Sequence, residues 1–212
     1  MESLILGIFV FTAALVFALL EIEIEGKDGW ARNLPTWYKK SGISKIFSKL
    51  SSGKPLTGYH LLMLIFILLI FHSGFFISMS WNAINEVKVL FAFVIFLIAE
   101  DFLWFVFNPY FGIKKFKKEK VWWHSNSKWI FNLFPADYIV WPIIILSALL
   151  VLSITIKYTS IFLSFLAASF YTFLLSVLSI FFVSFYKKWY FKLRALDESK
   201  LFRRKIKFKE AK

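Results

Sequence analysis

Five stretches of nearly unbroken apolar character divide the chain: about Ser3–Leu20, Gly58–Ser78, Val87–Phe107, Phe134–Ile156 and Ile161–Phe185. Each approaches or exceeds the ~18–20 residues that cross hydrocarbon as a helix. Polar residues gather between them in two longer segments, Gly26–Thr57 and Asn108–Pro135, and in the tail from Tyr186. Inside the first segment, Ile43, Ile46, Phe47 and Leu50 recur at helical spacing, with Lys39, Lys40, Lys45 and Lys49 on the polar side. That period predicts a short amphipathic helix in the headgroup plane, with packing on the neighbouring loops as the alternative. The pattern predicts an all-α integral membrane protein. It would be a single-domain bundle of about five transmembrane helices over residues 1–185, with a short interfacial amphipathic helix and a basic cytoplasmic tail, 186–212.

Composition strengthens this reading. Of 212 residues, 59% are hydrophobic and 21% aromatic, against roughly 45–50% apolar in soluble domains. A soluble chain this short has no core large enough to bury five such runs. Cysteine is absent, which excludes disulfides, thiolate chemistry and cysteine metal ligands.

The charge of +13 is distributed unevenly. Lys and Arg number seven in Gly26–Thr57, six in Asn108–Pro135 and eleven from Tyr186 onward, whereas the two short connections hold only Lys88 and Lys157. The positive-inside rule places the three basic segments in the cytoplasm and the N-terminus outside, in the cell membrane. The net charge is therefore topological, and nucleic acid is not an expected partner. Met1-Glu2-Ser3 lacks a basic region and no A-x-A site follows, so the first span is expected to stay as an anchor. Lys114–Lys118 and Phe202–Lys205 would rest on anionic lipid. Trp30, Trp37, Trp122, Trp123, Trp129 and Trp189 would form an aromatic belt on that side. Ser160, Ser164, Ala168, Thr172 and Ser176, four residues apart, make a small-residue ridge in the fifth span. It is expected to pack within the bundle, or alternatively to form a homodimer face.

The acids stand out against this basic background. Glu21, Glu23, Glu25 and Asp28 leave the first span on the cytoplasmic side. Glu100 and Asp101 lie inside the third span, about two turns before Asn108-Pro109, which reads as a helix stop. His60, His124 and Asp137 come from the same side, whereas His72 falls in the outer half of its span and reads as a packed histidine. An acid at mid-helix costs about 2.5–3.5 kcal/mol to insert, and two short adjacent acids cannot snorkel. Acids at helix C-termini also oppose the dipole, so such a cluster needs a cation or a proton. If the first helix continues past Leu20, then Glu21, Glu25 and Asp28 share a face with Gly7, Ala14 and Ala18, and Glu23 points elsewhere. Glu21 or Glu25 is then expected close to Glu100 or Asp101. Solvated acids paired with loop lysines are the bland alternative for Glu21, Glu23 and Glu25.

These residues define the candidate site. Glu100, Asp101 and His124 are the expected catalytic groups. Glu21, Glu25, Glu100 and Asp101 are the expected ligands of a divalent metal ion. Asp28-Gly29-Trp30-Ala31-Arg32 resembles the Asp-Gly-x-x-Ala-Arg opening of the CDP-alcohol phosphotransferases, but it is one residue short and the further glycine and aspartates are missing. His-Glu-x-x-His, Glu-x-x-His, Gly-rich phosphate loops and Gly-x-Ser-x-Gly are also missing. Three functions remain open. One is a metal-assisted enzyme on an anionic lipid or polyprenyl phosphate. The others are a noncatalytic scaffold or assembly factor, and a small ion or solute transporter.

Overall fold

The computed structural model describes residues 1–39, 41–51, 53–77, 80–124, 126–155, 157 and 159–196. Lys40, Ser125, the ends of the second and fourth expected spans at Ser78 and Ile156, and the tail stretch Phe202–Lys205 lie outside the described residues, as does the Leu50 side chain. The described chain is built from helices α1 (Glu2–Glu25), α2 (Ile43–Leu50), α3 (Gly58–Ile77), α4 (Ala83–Phe107), α5 (Asp137–Thr155), α6 (Thr159–Leu178) and α7 (Val183–Ala195). A 3-10 turn, Ser179–Phe182, joins α6 to α7. Two antiparallel two-residue ribbons, β1 (Tyr38–Lys39) with β2 (Leu56–Thr57) and β3 (Trp129–Ile130) with β4 (Phe134–Pro135), pin the two longer loops. Five helices are long and apolar enough to cross a membrane, counting Thr159–Ala195 as one. This fits an all-α membrane protein.

Boundaries differ from expectation at several places, among them the fifth span, which continues past Phe185 into the expected tail as far as Ala195. Helix α1 runs to Glu25 rather than Leu20, because its apolar face continues through Ile22, which is fully buried. It stops at Gly26, whose φ of 62° ends the helix without strain. Helix α4 starts earlier, at Ala83, because the Asn82 side chain caps it by accepting from Asn85 N at 2.8 Å. Helix α5 starts at Asp137 because residues 134–135 pair into the β3–β4 ribbon instead.

Helix α1 packs between α4 and α6. Its contact with α6 is set by size: a Cβ on Gly7 would lie 2.7 Å from Tyr171 Cβ and 3.0 Å from the Ala168 carbonyl. Thr172 Oγ1 instead donates to the Gly7 carbonyl at 3.2 Å. The buried part of the small-residue ridge, Ala168, Thr172 and Ser176, thus faces the bundle, with Ser160 left exposed. The mid-bundle is filled by Phe17, Phe71, Phe93 and Phe96 in edge-to-face contact. Outward faces carry exposed apolar side chains such as Leu62, Phe66 and Phe173.

Both longer connections meet at one end of this bundle. Helices α1, α4 and α7 finish there, and α3 and α5 begin there. Asn108, fully buried just past α4, donates from Nδ2 to the Gly26 carbonyl at 2.8 Å and caps the next turn through Tyr110 N. It is a helix stop, as expected, and also a clamp between the ends of α1 and α4.

Candidate functional site

The clamp brings the last turns of α1 and α4 side by side, and with α3 they enclose a cavity of about 350 Å³. Its upper walls come from the loops: Trp30, Ser51, Lys54 and Trp123, with Phe47 from α2. Its polar end holds Glu21, Glu25, His60, Glu100 and Asp101. Its other end runs down between α3 and α4 along Met63, Leu64, Ile67, Val94 and Leu97. The cavity is therefore amphipathic.

The four acids in it have different roles. Glu25 accepts from the backbone N–H groups of Trp30 at 2.9 Å and Ala31 at 2.6 Å. Those two residues hold positive φ, 46° and 52°, in a turn that also needs Gly29 at 66°. A side chain on Gly29 would collide with the Trp123 ring. Glu25 is thus the anchor of the Gly26–Ala31 turn, which explains its burial at a helix C-terminus, where the dipole opposes it.

The turn places Trp30 flat on His60, with ring centroids 3.9 Å apart, and its indole N–H donates to the Pro55 carbonyl. The Thr57 hydroxyl lies 2.7 Å from His60 Nδ1 and accepts from His60 N. When that hydroxyl donates to Nδ1, the ring proton sits on Nε2, 3.4 Å from Glu25 Oε1.

Asp101 is equally occupied. Its Oδ2 accepts from the Tyr138 hydroxyl and from His124 Nε2, the latter at 3.1 Å. Its Oδ1 lies 3.6 Å from Lys54 Nζ. Lys54 also sits 4.7 Å over the Trp30 ring. His124 is 1% exposed and lies behind Asp101, outside the cavity wall. Burial, and then the Lys54 charge, push its imidazole below the ordinary value against the pull of Asp101. Neutral His124 donates from Nε2 and accepts at Nδ1 from the Ser127 hydroxyl, 3.3 Å away. Ser127 is buried in the turn after His124 and does not line the cavity. This trio orients an imidazole and offers no exposed nucleophile.

Glu21 and Glu100 remain. Their carboxyls lie close together at the polar end of the cavity, with the Tyr59 hydroxyl near Glu21. A hydrogen bond between two carboxyls requires a proton on one of them. Among the described residues, Glu100 Oε1, Trp104 Nε1, Tyr59 Oη and His60 Nε2 are buried polar atoms without a hydrogen-bond partner. Trp104 follows Glu100 by one helical turn and shares its wall of the cavity.

The structure thus joins Glu21 and Glu25 of α1 to Glu100 and Asp101 of α4, as the spacing predicted. Glu23, Asp28 and His72, which are not expected in the site, lie outside the cavity. Glu23 is exposed and paired with Arg194 at 2.6 Å. Asp28 accepts from Asn33 in the turn. His72 pairs with Glu86 at the far end. Among the described residues, no group of three or more His, Asp and Glu is arranged to hold a metal ion. Trp123 is buried in the aromatic cluster around Phe105 instead of standing in a belt. Sequence reading missed Lys54, Tyr59, Trp104, Ser127 and Tyr138. Only Trp104 carried a signal, its four-residue offset from Glu100.

Comparison with protein-family models, with curated proteins and with solved structures finds no match to this chain.

Proposed function

We propose that this is an integral membrane protein that takes the head of an amphiphile from the bilayer into the α1–α3–α4 cavity and exchanges a proton with it. The observation that carries this reading is the cavity's division. Its polar end presents two carboxyls, Glu21 and Glu100, that have no ion-pair partner among the described residues, and its apolar end follows α3 and α4 into the depth of the bundle. One carboxyl with a proton and one without form an acid–base pair at a single head group. Glu100, with Glu21, is the pair that touches the ligand. Asp101, held by His124 and Tyr138, positions Lys54 at the rim. The reading is an acid–base membrane enzyme, and no step in it passes through a metal.

The expected substrate is amended by the charge. Four carboxyls against Lys54 disfavour an anionic head inside the cavity. Anionic lipid is proposed instead as a partner of the basic loops on the cytoplasmic face, with the N-terminus outside and the protein in the cell membrane. Helix α2 supports this placement: Ile43 and Ile46 are exposed while Phe47 reaches the cavity, as for a helix lying at the headgroup level. A transporter is less well supported, since the Phe17–Phe71–Phe93–Phe96 cluster closes the mid-bundle between this cavity and the His72–Glu86 pair.

The test is mass spectrometry of organic extracts from purified wild type and Leu64→Trp, which fills the apolar end. The reading expects an amphiphile that co-purifies in stoichiometric amount with the wild type only. Identical extracts from the two proteins would contradict it.

A further inference from the structure

Resting on the amphiphile-binding reading above, the geometry points to an amino-alcohol head as the ligand: an ammonium that still carries N–H, with a hydroxyl beside it. Three independent features of the cavity select these groups.

The first is charge. Glu25 is held by two backbone N–H groups, and Asp101 by His124, Tyr138 and Lys54. Glu21 lies close to Glu100 and to the Tyr59 hydroxyl, and among the described residues neither glutamate has an ion-pair partner. Lys54 is the one Lys or Arg among the described residues lining the cavity, and it is directed to Asp101. The uncompensated pair favours a cation, and a phosphate-bearing head would meet four carboxyls. The second is hydrogen bonding. Glu100 Oε1 is buried without a donor, so the cation must offer N–H, which a quaternary ammonium lacks. The third is an orphan donor. Trp104 is 3% exposed, lines the cavity and has a buried indole N–H without an acceptor. An ammonium cannot satisfy it, but a neighbouring hydroxyl oxygen can. Trp30, Trp123 and Trp141 in the same lining give the cation aromatic walls.

The experiment measures affinities of N-dodecylethanolamine, dodecylamine, dodecyltrimethylammonium and dodecanoate for the purified protein in nonionic micelles. Each competes against a brominated alcohol that quenches tryptophan fluorescence. We expect N-dodecylethanolamine to bind tightest, and dodecylamine to bind at least about tenfold tighter than the quaternary or carboxylate probes. Glu21→Gln and Glu100→Gln, read separately so that one poorly folded variant does not decide the matter, should each erase the preference for amine over quaternary ammonium. Trp104→Phe should erase only the preference for the amino alcohol over the amine. If dodecanoate or the quaternary probe binds as tightly as dodecylamine, the head class is wrong and the cavity reading survives. If the amino alcohol has no advantage, the hydroxyl assignment falls. If no probe and no bromoalcohol binds, the cavity reading itself fails.

Discussion

Asn108 Nδ2 donates to the Gly26 carbonyl at 2.8 Å, joining the ends of α1 and α4 across 82 residues of chain. Glu21 and Glu100 sit within about two turns of those ends, so this amide is expected to help hold the site together. Asn108 is fully buried, so Asn108→Ala leaves a carbonyl and a backbone N–H without partners. A loss of about 1–3 kcal/mol is expected, measured by unfolding in detergent. Ligand affinity should fall with it.

Two glycines of the following turn separate conformational strain from collision. Gly26 and Gly29 both hold positive φ, but nothing lies within 4 Å of a Cβ on Gly26, whereas one on Gly29 meets the Trp123 ring. Gly26→Ala is expected to cost about 1 kcal/mol from backbone strain alone. Gly29→Ala should cost roughly 1–3 kcal/mol more from overpacking. Equal losses in thermal unfolding would show that the Trp123 ring yields to a Cβ on Gly29 without cost.

The pH dependence of stability has a component from His124. Burial, and then the Lys54 charge, hold its folded value below the ordinary imidazole value of about 6.5. The unfolded chain then binds the proton first as pH falls, so the stability this group contributes is present above about pH 6.5 and is lost progressively below it. The loss is at most about 1.4 kcal/mol per pH unit. Subtracting the curve of His124→Gln from that of wild type isolates this component. A difference that grows with rising pH above 7 would have the wrong sign for a buried neutral histidine.

Orientation is open to a direct test, because the chain has no native cysteine. Lys118→Cys and Trp81→Cys place thiols at exposed positions at opposite ends of the bundle. An impermeant reagent added to intact cells should label Trp81→Cys and reach Lys118→Cys only after the membrane is opened. The reverse pattern would invert the proposed topology.

The helices were legible because each is a run of apolar residues about as long as a bilayer is thick. The Glu21–Glu100 proximity was legible for a related reason: helical spacing set Glu21 on the Gly7–Ala14–Ala18 face, and depth matched it to Glu100. The division of labour among the acids was not. Glu25 and Asp101 looked like Glu21 and Glu100 in the sequence, yet backbone N–H groups of a positive-φ turn hold one, and Lys54, His124 and Tyr138 hold the other. Those partners come from loops and from the first turn of α5, where no periodicity announces a contact. The over-run of α1 to Glu25 was hidden because three Glu in a row of five residues resemble an exit from the membrane, although Ile22 between them is fully buried.

The central claim, that the α1–α3–α4 cavity admits an amphiphile from the bilayer, is tested most directly by tryptophan quenching. Bromododecanol in nonionic micelles should saturably quench the cavity tryptophans, Trp30, Trp104, Trp123 and Trp141. Blocking the apolar end with Met63→Phe together with Leu64→Phe, which adds no tryptophan, should remove the saturable part and leave the partition-dependent background. Saturable quenching of equal amplitude in the blocked protein, or its absence in the wild type, would contradict the account.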